Sequence, residues 1–197
     1  HDLIGAAQAL IEKSAVLRVR GRYSEALEAS QDALNRLQLV SDVERSLAVL
    51  PLAGAYRNIG LCHYQMGAIG RGIKELRKAL QLYEQAGYLP NLAQTHSDLG
   101  VLLRASGNTA GARHHFEEAL AIWEKIGNPL GMATVLNSIG VTYHHQGEYQ
   151  KALDIFSMAL RRAREAASDR LSGFILAGIG DAHLALGEGE KAMEAYK

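Results

Sequence analysis

The sequence predicts an all-α fold in which antiparallel helix pairs stack as an α-solenoid. The first observation is a pair of glycines that returns every 40 residues, namely Gly60, Gly100, Gly140 and Gly180, followed by Gly67, Gly107, Gly147 and Gly187. The second is that apolar residues between these glycines recur at helical spacing, without the alternation typical of strands. Self-similarity at a period of roughly 20–50 residues indicates a repeat array. We expect about four and a half repeats stacked along the chain.

Small residues recur at a second place in each repeat, where the two helices of a pair should approach. They are Gly72, Ala112, Ala152 and Ala192, each a fixed distance after the first glycine of its repeat. The distance between two packed helices is set by the side chains at their contact. A glycine in mid-helix costs about 0.5–1 kcal/mol relative to alanine. Its return therefore predicts that each first-helix glycine faces the small residue of the second helix.

The helix pairs divide the chain into five units within a single domain of residues 1–197. Their predicted bounds are residues 3–39, 42–86, 91–126, 130–167 and 170–197, the last unit being truncated. Because Gly21 precedes Gly67 by more than one period, the first spacing is longer, and the excess must lie between residues 39 and 56. Since the chain opens on His1 and stops within a repeat, we expect it to be a fragment of a longer protein.

The lengthened segment carries its own signals for helix start and helix distortion. Ser41 and Glu44 match a capping box, which predicts that a helix begins at Asp42. Pro51 lies about two turns inside that helix and lacks an amide proton. We therefore expect a long, bent helix that runs to Met66, with a kink or a break near Leu50.

Composition restricts the classes of partner and compartment. Lys and Arg together number 21, as do Asp and Glu, so the formal charge is zero and no long-range field favours direct binding of nucleic acid. No apolar run approaches the ~20 residues of a membrane helix, so no membrane partner is expected. The single cysteine, Cys62, cannot form an intramolecular disulfide, and it should be buried in its helix. A cytoplasmic location follows as the expectation.

The order of small and large residues resembles the tetratricopeptide repeat. The residues that carry this resemblance are Tyr56, Ile59, Gly60, His63, Gly67, Ile69, Gly72, Leu76 and Ala79, and in a later copy Leu136, Ile139, Gly140, Tyr143, Gly147, Tyr149, Ala152, Phe156 and Ala159. The 40-residue unit is longer than the family's usual unit, and it resembles two subgroups. One contains Pins/LGN-like and kinesin light chain scaffolds, and the other contains the sensor arms of bacterial signal-transduction ATPases and maltose-activator-like transcription regulators. The junction over residues 127–133 is more similar to the bacterial subgroup.

The resemblance implies that the helix pairs wind into a right-handed superhelix. Its concave groove, lined by the first helix of each pair, would hold a peptide, a partner protein or, in some regulators, a small effector. The residues at the groove-facing positions are Arg18, Arg57, Leu61, Tyr64, Ser97, Val101, Arg104, Asn137, Val141 and His144. An aliphatic floor with polar and basic edges suits an extended or helical segment of some acidic character. The alternative is that these are ordinary solvated residues. The basic set with which some relatives clamp a terminal carboxylate is missing from the matching positions.

Other candidate sites are better explained by structure. His114-His115 and His144-His145 are adjacent pairs, and adjacent helical residues point about 100° apart, so no metal site is expected. The glycine-rich run at residues 67–72 follows a helix and lacks the Lys-Ser/Thr of a phosphate loop. Arg161, Arg162 and Arg164 indicate a solvated face. No nucleophile has a histidine partner at a suitable spacing, so neither catalysis nor a cofactor is expected.

Two functional hypotheses remain. The first is a non-catalytic protein-interaction module, or scaffold, whose groove binds a partner peptide or protein. The alternative is the effector- or partner-sensing arm of a bacterial multidomain signal-transduction ATPase or transcription regulator, in which binding would change the curvature of the array. A nucleotide-binding domain or a helix-turn-helix in flanking sequence would favour the sensing arm.

Overall fold

The computed structural model describes residues 2–197, which contain ten α-helices and no strand. Helix accounts for 85% of the chain, so the all-α prediction is confirmed. The helices are α1 (Leu3–Val19), α2 (Tyr23–Leu37), α3 (Arg45–Gln65), α4 (Ile69–Ala86), α5 (Leu89–Ala105), α6 (Thr109–Ile126), α7 (Pro129–His145), α8 (Tyr149–Glu165), α9 (Asp169–Ala185) and α10 (Gly189–Ala195). Within the described residues, no helix combines the length and the apolar character needed to cross a membrane.

The turn between the two helices of a pair depends on glycine in the left-handed conformation. Gly67, for example, has φ of 79°, and Ala68 next to it donates its amide to the carbonyl of His63 at 2.8 Å. This geometry closes the helix end at little cost only where no Cβ is present. The turns between pairs use Gly87 and Gly127 in the same way, but Ala167 occupies the third such turn with φ of 49°. Ala167 therefore accepts a conformation that a side chain disfavours.

The chain forms two compact units, and the first extends to Asn108. In it, α1, α3 and α5 lie side by side as one layer, and α2 and α4 pack between them as a second layer. One cluster of buried residues, including Ala33, Leu37 and Ile59, joins α1, α2 and α3. Another cluster, including Leu76 and Leu102, joins α3, α4 and α5. The second layer thus holds the first-layer helices at a fixed spacing.

The second unit comprises residues 109–197 and repeats this arrangement with α7 and α9 in one layer and α6, α8 and α10 in the other. Its core is centred on Phe156, which is buried together with Leu136, Ala159 and Ile175. At the start of α7, the Asn128 side chain accepts a hydrogen bond from the amide of Gly131 at 2.9 Å. This hydrogen bond caps α7 at the point where its first turn packs against Trp123 of α6.

Close approach of paired helices at glycine is confirmed. A Cβ placed on Gly60 would lie 3.0 Å from the carbonyl oxygen of Gly72 and 2.8 Å from Cγ of Leu76. On Gly140 it would lie 2.6 Å from the ring of Phe156. On Gly180 it would overlap the ring of Tyr196. The tightest neighbours are therefore mostly the large residues one turn beyond the small ones, so glycine accommodates a bulky side chain as well as a backbone.

The predicted start of the third helix is wrong by three residues. Residues 42–44 form a 3-10 turn, and the α-helix begins at Arg45. The Ser41 hydroxyl donates to the Glu44 carboxylate at 2.7 Å and makes no bond to the backbone amide of residue 44, so the capping box does not form. Helix α3 continues past the buried Pro51 without a break and ends at Gln65.

Replacement of Gly140 by Leu is expected to destabilise the second unit, because its Cβ would overlap the ring of the buried Phe156. Overpacking of this kind costs about 1–3 kcal/mol. The matched control is Gly173→Leu, because Gly173 is exposed in α9 and a Cβ there would meet no atom within 4 Å. Urea denaturation should show a lower midpoint for Gly140→Leu and no loss for Gly173→Leu. Equal midpoints for the two variants would contradict the packing argument.

Cys62 is expected to react slowly with thiol reagents, since its side chain is fully buried and burial raises the pKa of the thiol. The positive charge of Arg18 opposes that shift without reversing it. Fewer thiolates form at neutral pH, and the reagent must wait for the structure to open. Iodoacetamide labelling of the native protein should be at least about a hundredfold slower than labelling in denaturant. Comparable rates would show that α3 opens readily around Cys62.

Candidate partner-binding face

The exposed side of α1, α3 and α5 in the first unit is called here the first-helix face. Along α3 it contains one stripe at spacings of three and four residues, which consists of Leu50, Gly54, Arg57, Leu61 and Tyr64. Residues at these spacings lie on one side of a helix. The stripe therefore connects three residues predicted from the sequence to two, Leu50 and Gly54, that were not.

Two arginines of the first-helix face have no acidic partner among the residues that the structure describes. Arg18 in the last turn of α1 and Arg104 in the last turn of α5 are half-buried. The Nε atom of each is buried and lacks a hydrogen-bond acceptor. Neither guanidinium lies within ion-pair distance of a carboxylate among residues 2–197. Their charges are available to a ligand.

Arg57, in contrast, is neutralised within the fold. Its Nε donates to the carboxylate of Asp98 on α5 at 2.7 Å, and the two side chains are only 22% and 14% exposed. Gln94 donates to the second oxygen of that carboxylate at 3.3 Å. Partial burial strengthens this pair relative to a surface ion pair. Arg57 thus ties α3 to α5 and carries little free charge.

The remaining predicted residues of the first unit differ in exposure. Tyr64 and Val101 are half-buried, whereas Leu61 and Ser97 are buried. The hydroxyl of Ser97 donates to the carbonyl oxygen of Ala93 in the preceding turn at 3.0 Å, which satisfies it within its own helix. Leu61 and Ser97 therefore contribute to packing beneath the face.

The second unit places its three predicted residues on α7, where Asn137, Val141 and His144 are all half-buried. The Nε2 atom of His144 is buried without a hydrogen-bond partner, and its ring packs edge-on against Tyr149 at 5.2 Å. His144 stands three residues before its turn glycine, as do Arg18 and Arg104. The same repeat position thus holds an unpaired nitrogen donor or acceptor in three helices.

A cavity of about 470 Å³ opens between α1, α3, α4 and α5 in the first unit. Its lining residues are Gln8, Ile11, Glu12, Leu50, Pro51, Gly54, Tyr83, Tyr88 and Asn91. The hydroxyl of Tyr83 lies 3.7 Å from the position of a Cβ on Gly54 and accepts a hydrogen bond from Asn91 at 3.0 Å. Clefts that hold ligands commonly have volumes of about 300–1,000 Å³. The cavity is large enough for a side chain of a ligand.

Exposed aliphatic residues lead towards this cavity from the connection between α2 and α3. Val43 is 90% exposed, and Leu39, Leu47 and Leu50 are exposed as well. Val43, Leu47 and Leu50 are spaced by four and three residues, and Leu50 also lines the cavity. The residues that lengthen the first repeat spacing thus form an exposed apolar surface that continues to the cavity at Leu50.

The other layer of the first unit contains an outer cleft of about 540 Å³ between α2, α3 and α4. Leu27, Leu34 and Ile59 contribute apolar surface to it. Lys78 spans part of its rim, because its ammonium group pairs with Glu75 at 2.8 Å and lies 4.8 Å from the ring centre of Tyr56. The charges of Lys78 and Glu75 at this rim therefore neutralise each other.

The residues weighed for other chemistry occupy structural places. No cluster of three or more potential metal ligands occurs in the part of the chain that the structure describes. Arg162 is exposed on α8 and pairs with Glu165 at 2.8 Å, in agreement with a solvated face. In the glycine-rich run, Gly67 forms the turn, and Gly72 lies in α4 with its Cβ position 2.7 Å from the Gly60 carbonyl oxygen.

Sequence reasoning missed the cavity residues, chiefly Glu12, Gly54, Tyr83 and Asn91. The available signal was Gly54, since the equivalent positions one, two and three periods later hold Gln94, Thr134 and Phe174. A glycine where the other copies carry a side chain leaves space above the helix. Its neighbours, however, come from three other helices and have no common spacing.

Replacement of Asp98 by Asn is expected to destabilise the first unit by about 1–3 kcal/mol, because it leaves the half-buried guanidinium of Arg57 without its carboxylate. Asp32→Asn is the control, since Asp32 is exposed on α2 and makes no ion pair within the described residues. Chemical denaturation followed by circular dichroism measures both. Loss of stability in the control alone, or in neither variant, would refute a structural role for the pair.

A family model for the tetratricopeptide repeat matches residues 51–125 and 131–197 of this chain. The two matches together span most of the sequence. The sequence has no significant match among curated proteins. Repeats of this family stack into extended surfaces that bind partners.

Solved structures share the fold at low sequence identity. BtubC (BKLC) from P. vanneervenii superposes with a TM-score of 0.76 at 16% identity, over 99% of this chain and 88% of its own. Aspartyl phosphate phosphatase F from Bacillus subtilis gives a TM-score of 0.84 at 14% identity, over 100% of this chain. A Rap protein in complex with competence and sporulation factor gives 0.80 at 16% identity, over 95% of this chain.

The chain spans only about half the length of the latter two proteins, 49% and 51% respectively. At these identities the likeness shows the fold alone. The match of the family model, the 40-residue period and the paired helices with glycine at their closest contacts agree with one another. This chain belongs to the tetratricopeptide repeat family and has the fold of a protein-interaction module.

Proposed function

We propose that the protein binds a segment of a partner protein on its first-helix face, without catalysing a reaction. The observation that carries this proposal is the contrast among the three arginines of that face. Arg57 is paired with Asp98, whereas Arg18 and Arg104 have no carboxylate partner among residues 2–197. An unpaired and half-buried guanidinium is costly to keep unless a ligand satisfies it.

The placement of these arginines favours a segment with two acidic groups. Arg18 and Arg104 end α1 and α5, and α3 lies between those helices. The axes of neighbouring packed helices lie about 8–10 Å apart, so two such distances place the guanidinium groups roughly 16–20 Å from each other. An extended chain covers that distance with about five or six residues. Tyr64 on α3 lies between the two arginines, and Val101 lies one turn before Arg104 on α5, so both suit apolar side chains of the segment.

One structural neighbour supports a peptide or protein as the ligand, since it is a Rap protein complexed with competence and sporulation factor. That comparison supports the fold alone. The proposed chemistry of the ligand rests on Arg18, Arg104, Tyr64 and Val101. Cytoplasmic location and the absence of catalysis remain part of the proposal. Membership in the family agrees with an interaction module, while one neighbour is a phosphatase by name.

The alternative function is the sensing arm of a bacterial multidomain signal-transduction ATPase or transcription regulator. The observation in its favour is that a phosphatase from Bacillus subtilis and a Rap protein share the fold over almost all of this chain. In that case the ligand, either a partner segment or a small effector, would act by favouring one arrangement of the helices. The same residues would contact it.

Charge reversal at Arg104 tests the proposal. Ligands for the wild-type protein are first selected from a display library of random peptides, and the best binder is synthesised with a fluorophore. Arg104→Glu should then weaken binding about tenfold or more, because it places a negative charge beside an acidic residue of the ligand. Its melting temperature should change little, since Arg104 makes no ion pair that the substitution could break.

Arg77→Glu is the matched control, because Arg77 is exposed on α4 in the other layer of the same unit and makes no ion pair among the described residues. It should bind as the wild type does. Equal loss for both variants would indicate a general charge effect, and equal retention would move the binding surface away from the first-helix face. Either result overturns the proposal.

A further inference from the structure

The cavity between α1, α3, α4 and α5 exists because two positions of α3 lack side chains of ordinary reach. Gly54 has none, and the ring of Pro51 stays close to its own backbone. A Cβ on Gly54 would be in ordinary contact with Ile11 at 3.4 Å and would stand 3.7 Å from the Tyr83 hydroxyl. The space above that point remains open.

The polar groups around this cavity include one free negative charge. Glu12 is exposed on α1 and lies beyond ion-pair distance of any Lys, Arg or His side chain among residues 2–197. Tyr83 is only 1% exposed, and its hydroxyl accepts a hydrogen bond from Asn91 at 3.0 Å. Gln8 and Asn91 add amide oxygens that can accept hydrogen bonds.

The apolar part of the cavity suits an aliphatic chain. Ile11, Leu50 and Pro51 line one side, and the aromatic rings of Tyr83 and Tyr88 line another. Long basic side chains bury their methylene groups on apolar surface and keep their charged end near a carboxylate or an aromatic face. An acidic ligand group would be repelled by Glu12, and a wholly apolar one would leave the amide and hydroxyl groups unpaired.

We propose that this cavity receives an arginine or lysine side chain of the bound partner segment, with Glu12 as its counter-charge and Leu50, Pro51 and Ile11 along its methylene groups. This inference rests on the proposed function, since it assigns a further feature of the same ligand. The ligand then has a basic anchor at the cavity and acidic groups towards Arg18 and Arg104.

The two ends of this ligand fit the dimensions of the face. Glu12 and Arg18 lie on the same helix, six positions apart, which corresponds to about 9 Å along the axis and roughly 120° around it. An extended segment that contacts both side chains therefore needs about four or five residues. The basic and acidic groups of the segment would therefore be close in sequence. A segment bound in the reversed order would place its acidic group beside Glu12 and its basic group beside Arg18.

A capped amino acid serves as a direct probe of the cavity. N-acetyl-arginine N-methylamide is titrated into isotope-labelled protein at millimolar concentration, and amide shifts are followed by NMR. Saturable shifts are expected at Gly54, Tyr88 and Asn91, and N-acetyl-citrulline N-methylamide, which has the same shape without the charge, should produce much smaller ones. Glu12→Gln should weaken arginine binding by about tenfold, while Glu84→Gln on the exposed part of α4 should not.

Equal shifts with arginine and citrulline, unchanged affinity in Glu12→Gln, or no saturable shift would each overturn the assignment. Tighter binding of free arginine than of the capped amide would also overturn it, because the site would then recognise a small molecule instead of a partner side chain. The outcome is separable from that of the proposed function. A selected peptide that loses affinity with Arg104→Glu but is indifferent to Glu12→Gln supports the first-helix face and refutes the basic anchor.

Discussion

The close approach of the two helices in each pair is the constraint on which the rest of the structure depends. It occurs where a glycine leaves room for a neighbouring backbone or a large side chain, as Gly60 does for Gly72 and Gly140 does for Phe156. The turn glycines fix where each pair reverses, so the contact always falls at the same depth along the helices. Together these two features impose the 40-residue period, because a shift of one residue would rotate the glycine away from its partner helix.

A constant register has an electrostatic consequence. Residues three positions before successive turn glycines occupy equivalent places, and there the chain holds Arg18, Tyr64, Arg104 and His144. Arg18, Arg104 and His144 each retain a buried nitrogen without a hydrogen-bond partner. The repeat thus presents similar chemistry from different helices. Arg57 stands at another repeat position, and there Asp98 turns a potential ligand contact into a link between α3 and α5.

The longer spacing between the first two turn glycines breaks this regularity. The added residues form a 3-10 turn and leave Val43 and Leu47 in solvent, and they are followed by Pro51 and Gly54 in α3. A proline is tolerated there because α3 is held by α1, α2 and α4 on its sides, and packing compensates for the missing hydrogen bond. Local departures from regular structure often coincide with functional sites. In this protein the departure lies beside a cavity that Leu50 also lines, and in which the Glu12 carboxylate has no ion pair among residues 2–197.

The sequence by itself determined the helices, their turns and the glycine contacts, because helical periodicity, left-handed glycine turns and small residues at close contacts are local properties that repeat along the chain. It also predicted a partner-binding face that carries Arg18, Arg57 and Arg104. Only the tertiary structure decided which of those charges are free, that Ser97 lies buried, and that Glu12, Tyr83 and Asn91 surround one cavity. These features depend on distances between side chains from different helices, and no spacing within a single helix encodes them. The start of α3 differed for a related reason, since Ser41 satisfies Glu44 through its side chain and leaves the first turn to close as a 3-10 turn.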